Sequence, residues 1–576
     1  MTCSLDWRSL TLGLLLAGGA ALAPAIAAKP PAAAAVQPVS AQSRPGHAAI
    51  ASANFLATRA GLEVLRKGGN AFDAAVAVAS TLSVVEPESS GIGGGFMAVL
   101  HRAKDGRNVF IDARETAPAA VNPKDYVKPD GSPNRDSSLT GPLSAGIPGE
   151  PAGLVLIAKR YGRLSLQQSL APAIRIARDG FQPDPRLHAA IAEEQKLLKR
   201  WPASAAKYLV NGQPPAAGAS WRDPDQARTL ELIAQHGDAA FYRGEIAHQL
   251  VDAVQAAGGN WTLADLAGYQ AKERTPISVD YRGYQIITAP PPSSGGVAIA
   301  EILNILSGYD LVKMDQLQRV HYVVEAMRRS FRDHNDYLGD PDFVKMPLDM
   351  LLSPYYADGL RQSILPDRAT PSSMLPRADP ADVGMHTTHF SIIDADGNMA
   401  AVTLTVNTTL GSKFVAAGTG VLLNNEMDDF ALVPNKPNVY GLLGSKANAP
   451  VGGKRMLSSM SPSIVIGPQR TMVIGSPGGS TIITQVLEGI LHFIDGENAQ
   501  QIVAHKRFHH QYLPDVVMVE PGMFDPATSA ALEKMGYTLK QHDPWGFMNV
   551  VTWDRKTNQL DAASDPRRPS GLGEVQ

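Results

Sequence analysis

The residues best suited to chemistry fall in one run: His386-Thr387-Thr388-His389-Phe390-Ser391-Ile392-Ile393, then Asp394-Ala395-Asp396-Gly397-Asn398, then Met399 to Asn407. A threonine hydroxyl is a weak nucleophile without a base. If the chain is cut between His386 and Thr387, Thr387 carries both the attacking hydroxyl and a free α-amine. Such an amine titrates near about 8, so it can serve as the base close to neutral pH. Before the cut, the same hydroxyl could attack the His386 carbonyl and convert the peptide to an ester. The competing reading is structural, because threonine is a good strand former and a Thr-rich hairpin is often only a hairpin.

The element that must position these groups is a β-hairpin. Runs rich in Thr, Ile, Val and Phe flank an Asp-Gly step. A three-residue loop, Ala395-Asp396-Gly397, suits a type I turn with a bulge and Gly397 at positive φ. A loop centred on Asp396 sets Thr387 opposite Thr405 and His389 opposite Thr403. Cross-strand Cβ atoms lie roughly 5 Å apart. Two hydroxyls would then face each other at one end of a strand pair, and Thr405 could orient the Thr387 oxygen.

With these residues the sequence resembles the γ-glutamyltranspeptidases. The resemblance rests on Thr387-Thr388-His389-x-Ser391-Ile392, Gly397-Asn398 and Thr403-x-Thr405-x-Asn407. It extends to Leu423-Asn424-Asn425-Glu426-Met427-Asp428-Asp429-Phe430, Leu457-Ser458-Ser459-Met460-Ser461-Pro462 and Gly475-Ser476-Pro477-Gly478-Gly479-Ser480. It runs from about Gly46 to Ser564-Asp565-Pro566-Arg567. Ala400 and Leu410 depart from the family pattern, at what read as packing positions. The resemblance implies Thr387 as nucleophile, Thr405 as its orienting partner and the Gly478 and Gly479 amides as oxyanion donors. It implies that Arg114, helped by Ser458 and Ser459, binds the substrate α-carboxylate, and that Asn407, Glu426 and Asp429 grip its α-amine. A guanidinium fork suits the first task. The acids alone could equally mean calcium. Pro434 to Pro450 resembles a lid loop, with Tyr440 reaching Asn407.

Elsewhere the chain supplies scaffold and exclusions. It has 576 residues, 44% hydrophobic and 19% charged, which is ordinary globular composition. A net charge of −3 argues against a nucleic-acid binder. The single cysteine is Cys3, so no thiol or disulfide remains once an N-terminal segment is removed. That segment, residues 1–27, reads as a signal peptide: Arg8, an apolar Leu10 to Ala23, and Ala25-Ile26-Ala27 as cleavage site. Residues 28–45 read as a flexible leader, and no later run is apolar enough to span a membrane. A periplasmic or secreted bacterial protein follows.

Helices are expected over Ser52–Arg66, Ala71–Val84 (capped by Asn70 and buried all round), Gly149–Tyr161, Leu166–Asp179, His188–Leu198, Pro224–His236, Ile246–Ala257, Val297–Leu306, Leu317–Tyr337 and Thr481–Phe493. Gly91-Ile92-Gly93-Gly94-Gly95 lacks a following Lys-Ser/Thr and precedes a strand, so it reads as tight backbone packing and not a P-loop. Glu325, Arg328, Arg329, Arg332 and Asp333 read as structural ion pairs. His505, His509 and His510 read as a structural or solvated histidine cluster, since neither HExxH nor a Cys/His metal pattern is present. Residues 361–383 read as an exposed linker ahead of Thr387.

The resemblance implies an α/β fold: an αββα four-layer sandwich of two stacked antiparallel sheets, of the N-terminal-nucleophile hydrolase type. It implies a large subunit, residues 46–386, and a small one, residues 387–576, intertwined as one unit. The implied reaction is γ-glutamyl transfer from glutathione and related compounds to water or to amino acid and peptide acceptors, with no cofactor and no metal. Two alternatives remain at this stage: a cephalosporin (glutaryl) acylase on the same scaffold, and an unprocessed periplasmic γ-glutamyl-binding protein.

Overall fold

The computed structural model describes residues 44–375, 387–433 and 436–576. The expected signal peptide, most of the leader, His386 and the end of the linker lie outside the described residues, as do two residues at the start of the lid loop.

Two antiparallel sheets stack face to face. The first has seven strands, in spatial order Leu572–Val575, Ala49–Ser52, Thr388–Ile393, Met399–Thr405, Gly95–Arg102, Arg107–Ala113 and Lys272–Arg274. The second has six: Gln559–Ser564, Asn549–Asp554, Arg470–Gly475, Ser463–Ile466, Tyr284–Thr288 and Ile277–Tyr281. Strand side chains alternate between two cores, as a period of two requires. Phe390, Ile392, Ala400, Val402 and Leu404 pack under one helical layer that includes Phe55–Arg66, Ala71–Val85, Glu150–Tyr161 and Leu166–Asp179. Ile393, Met399 and Ala401 face the second sheet. Gly295–Leu306, Gln316–Tyr337 and Ile482–Ile494 cover that sheet's far side. This is the expected four-layer sandwich.

The hairpin register is the expected one. His389 pairs with Thr403 and Ile393 with Met399. The loop closes through Asp394 N–H to Asn398 O, and Gly397 has φ +88°. Asn70 caps Ala71–Val85 with a reciprocal Asp73 bond, and every residue of that helix is buried. Ala400 and Leu410 are fully buried, as packing positions should be.

Two expectations need correction, the helix over 188–198 and the histidine grouping, and one gains detail. The His188–Leu198 helix breaks in two, Pro185–Glu193 and Gln195–Leu198. Glu194 closes the first piece at φ −90°, ψ 6°, outside helical geometry. The described part of the linker, Ile364 to Leu375, is mostly exposed, as expected, but it is pinned at a few points. Ser372 is buried and donates to Tyr512 O at 2.7 Å, while the Thr370 N–H bonds Glu325 and the Ala369 N–H bonds Met535 O. The histidines do not form one cluster. His509 bonds Thr484 and Gln511, and His510 bonds Asp515, whereas His505 turns to Glu497.

The charges on Gln316–Tyr337 are structural, as expected. Glu325 pairs with Arg328 and Arg329, Arg332 with Asp333, and Arg328 also with Asp515. No described helix is long and apolar enough to cross a membrane.

Candidate active site

The pairing that sets His389 against Thr403 puts Thr387 and Thr405 on the sheet face that looks at the second sheet. Both are buried, and their hydroxyl oxygens are 3.5 Å apart, at the outer limit of a hydrogen bond. The Asn407 N–H donates to Thr405 Oγ1 at 2.7 Å, which fixes that oxygen. Beneath the pair, His389 contacts Thr403 Oγ1 at 2.8 Å and Ser391 Oγ at 3.1 Å. Burial lowers the His389 pKa to about 3, so the ring is neutral.

Glycines let two neighbouring strands approach this row. A Cβ on Gly94 would lie 2.1 Å from Thr405 O, so only glycine admits the strand that follows at that distance. A Cβ on Gly475 would meet the His389 ring at 2.3 Å. Gly475 ends the strand Arg470–Gly475, which therefore delivers Ser476-Pro477-Gly478-Gly479 beside the threonines. Gly478 and Gly479 both have positive φ, +141° and +55°, and open the turn that leads into Ile482–Ile494. Amides at such a start point outward and suit a developing negative charge.

At the other end of the pocket lies a charge cluster. Arg114 stands one residue past the strand Arg107–Ala113. Glu426 to Asp429 form a short turn held by Asn424, whose Oδ1 accepts the Glu426 and Gly146 N–H groups. Arg114 donates to Glu426 at 2.7 Å and to Asp429 at 2.5 Å, and Glu115 stands 3.5 Å away. It also donates to the carbonyls of Met456 and Leu457. Thus the residue expected at the carboxylate and the acids expected at the amine form one ion-pair cluster. Burial pushes Glu426 up to about 7, with Arg114 opposing, and raises Asp429 well above the usual carboxylate range. Burial works against the Arg114 charge, but the acids around it more than offset that, and Arg114 stays cationic.

These groups line one pocket. Ser458 and Ser459 line it too, and Ser458 Oγ accepts the Met460 N–H at 3.1 Å. The lid loop covers it. Tyr440 is buried, and its hydroxyl donates to Asn407 O at 2.7 Å. Asn407 sits at φ +77° and spends its Nδ2 on Asn425 O. Arg114, Thr387, Thr405, Asn407, Glu426, Asp429, Tyr440, Ser458, Ser459 and Gly479 all line this one pocket, and Gly478 adjoins it. His386 lies outside the described residues.

Several lining residues were not singled out by the sequence reading, and two of them are ionisable. Lys436 enters from the lid loop. His334 reaches the pocket from the end of Gln316–Tyr337, with Nε2 buried and making no hydrogen bond among the described residues. Burial lowers its pKa to about 4. Lys436 lies in the stretch that resembles a lid loop, whereas no spacing signal marks His334, which belongs to the site only through the fold.

The chain is 42% identical over 536 residues to a glutathione hydrolase proenzyme of Pseudomonas sp. (strain A14), covering 91% of this chain and 93% of that protein. It is 41% identical to the glutathione hydrolase proenzyme of Escherichia coli (strain K12), covering 98% of each. Among solved structures it resembles a cephalosporin acylase from Bacillus halodurans, with a TM-score of 0.80 and 29% identity over 92% of this chain and 96% of that one. The family model for gamma-glutamyltranspeptidase matches residues 57–575, and the chain belongs to that family.

Proposed function

We propose that this protein is a γ-glutamyltransferase and glutathione hydrolase that activates itself by cutting between His386 and Thr387. In the first step Thr387 Oγ1 bonds to the His386 carbonyl carbon, the C–N bond breaks, and the nitrogen takes the hydroxyl proton. Water then hydrolyses the ester and leaves a free Thr387 amine. That amine takes the proton of its own hydroxyl as the oxygen attacks the γ-carbonyl of the donor. The Gly478 and Gly479 amides hold the oxyanion. The leaving amine receives the proton, and the γ-glutamyl ester passes to water or to an amino acid or peptide acceptor.

The observation that carries this reading is the sharing of one pocket by the Thr387–Thr405 hydroxyl pair and the Arg114–Glu426–Asp429 cluster. A γ-glutamyl head group has one carboxylate and one ammonium. The carboxylate can take Arg114, with Ser458 and Ser459 beside it, while the ammonium takes Glu426, Asp429 and the Asn407 side-chain oxygen. Exchange of partners keeps every buried charge paired. Tyr440 then acts as a latch over the bound donor. The likeness to a cephalosporin acylase favours a glutaryl amide as the rival substrate. A glutaryl group lacks the ammonium, so it would leave Glu426 and Asp429 without a new partner.

The reading includes a large subunit, 46–386, and a small one, 387–576. It also includes export, supported by the Leu10 to Ala23 apolar run and Ala25-Ile26-Ala27, which give a periplasmic or secreted mature protein. Intact mass spectrometry of purified protein should find a fragment beginning at Thr387, and Thr387→Ala should leave one unsplit chain. Turnover of a γ-glutamyl anilide should exceed that of a glutaryl anilide. Active protein with His386 still joined to Thr387 would end the proposal, and a preference for the glutaryl amide would transfer it to the acylase reading.

A further inference from the structure

Sequence spacing groups His505 with His509 and His510, but the fold gives it other company. His492 lies in the last turn of Ile482–Ile494, Glu497 in the turn that follows, and His505 just after the helix Ala499–Ala504. Their ligand atoms all lie within 4.8 Å of one another. One carboxylate serves both rings: His492 Nδ1 is 3.2 Å from Glu497 Oε1, and His505 Nε2 is 2.6 Å from Oε2. The two imidazoles stack with centroids 3.7 Å apart.

From this geometry we infer a site for a first-row divalent cation, zinc or its cobalt and nickel analogues, held by His492, Glu497 and His505. Two imidazoles and one carboxylate are the donor set such ions prefer over magnesium or calcium. Around a tetrahedral ion with bonds near 2.1 Å, ligand atoms stand about 3.4 Å apart, so small side-chain rotations suffice. The backbone is already fixed. Glu497 N–H bonds His492 O at 3.2 Å, Glu497 O accepts from Arg470, and an Asn498–Gln501 capping box starts the next helix. The cation would sit at the carbonyl end of a helix, where positive charge is favoured. The nearby cations are engaged elsewhere: Arg319 pairs with Asp495, and Lys506 donates to Gly522 O at 3.0 Å. The ligands are part-exposed at 24%, 25% and 41%, which leaves an entry path and a coordination position for water. The site is separate from the pocket at Thr387. It lies at the opposite end of the helix that begins at the Gly479 turn, about 20 Å along its 13 residues.

The ion would clip the helix end to the following helix. Titration of tag-free full-length protein with Zn²⁺ by calorimetry should give one ion per chain, and saturating Zn²⁺ should raise the melting temperature. Co²⁺ should give visible d–d absorption of a nitrogen- and oxygen-ligated ion. The H492A/H505A variant should bind Zn²⁺ at least ~10-fold more weakly and lose both the thermal shift and the Co²⁺ spectrum. Glu497→Gln, which keeps the side-chain volume, should weaken binding in the same direction. None of these residues touches the Thr387 pocket, so metal-free activity checks that each variant is folded. The absence of one-to-one binding in the parent protein, or equal binding by H492A/H505A and by Glu497→Gln, would overturn the site.

Discussion

At the scale of single residues the pocket is governed by an imbalance. Glu115, Glu426 and Asp429 surround one guanidinium, all largely withdrawn from water. If all three ionised they would leave an excess of negative charge at low dielectric, which burial penalises. Glu426 and Glu115 are accordingly pushed up to about 7, and Asp429 is raised well above its usual range. The donor brings a carboxylate with its ammonium and so leaves the net charge as it was; its ammonium gives the acids a second cationic partner while its carboxylate shares Arg114, and that pairing works only against ionised acids. The sign follows: as pH falls through about 7, Glu426 takes up its proton and its hold on the donor weakens. KM for a γ-glutamyl donor should therefore rise between pH 8 and pH 6. Glu426→Gln should raise KM at pH 8 and flatten that acidic limb. The Thr387 amine acts on kcat, so the two groups can be told apart; an unchanged KM limb in Glu426→Gln would assign the titration elsewhere. The residue types were legible in the sequence, and the roles proposed for them came through the family resemblance. Their mutual contact was not legible, because Arg114 and its two acids are separated by more than 300 positions and meet only through the fold.

Elements show why some local structure could be read directly. Asn70 with Asp73, Ser165 with Gln168 and Thr262 with Asp265 form capping boxes whose pattern lies within four residues. The hairpin is likewise local: Gly397 fixes the loop, and the loop fixes the register that brings Thr387 to Thr405. The second sheet was less legible. Tyr284–Thr288 pairs with Ser463–Ile466, and nothing within either strand names a partner so distant. The glycine run Gly93-Gly94-Gly95 was legible as tight packing, and the structure adds what it packs on. Gly93 meets Leu422 O, Gly94 meets Thr405 O, and Gly95 meets Ala113 O. Gly94→Ala would force its Cβ against the carbonyl of Thr405, the residue proposed to orient Thr387. Backbone cannot yield as a side-chain tip can. The variant should lose roughly 1–3 kcal/mol or more in chemical denaturation. It should also split at 386/387 more slowly than wild type in a timed gel assay. Gly359→Ala, where the added Cβ meets nothing within 4 Å and φ is ordinary, is the control for adding a methyl group without a clash.

For the whole molecule, the proposed cut falls inside a fold that it cannot separate. Residues before 386 give the first sheet Ala49–Ser52, Gly95–Arg102, Arg107–Ala113 and Lys272–Arg274, while later residues give Thr388–Ile393, Met399–Thr405 and Leu572–Val575. Ala49–Ser52 is clamped between two later strands, Leu572–Val575 and Thr388–Ile393. The second sheet takes its last two strands from the early part and the rest from the later part. Pulling the pieces apart would strip hydrogen bonds from both sheets and open both cores. A buried ion-pair cluster adds to the join: Arg568 contacts Glu86, and also Glu88 and Asp184 at 3.2 and 3.1 Å. Thr388, next to the proposed nucleophile, donates to Glu86 at 3.0 Å, so the cluster also braces the start of the hairpin. The two pieces should therefore co-elute in one peak on size exclusion and separate only under denaturing conditions. Arg568→Ala removes the cation that contacts Glu86, Glu88 and Asp184 directly and leaves the three acids with only Arg186 nearby to offset them. Loss of one partner from such a cluster costs about 3–5 kcal/mol, so the split variant should unfold at clearly lower urea than the split wild type. Arg568→Lys should recover part of that loss, since it restores charge without the planar fork. If Arg568→Ala unfolds with the wild type, the sheets alone hold the pieces and the cluster contributes little.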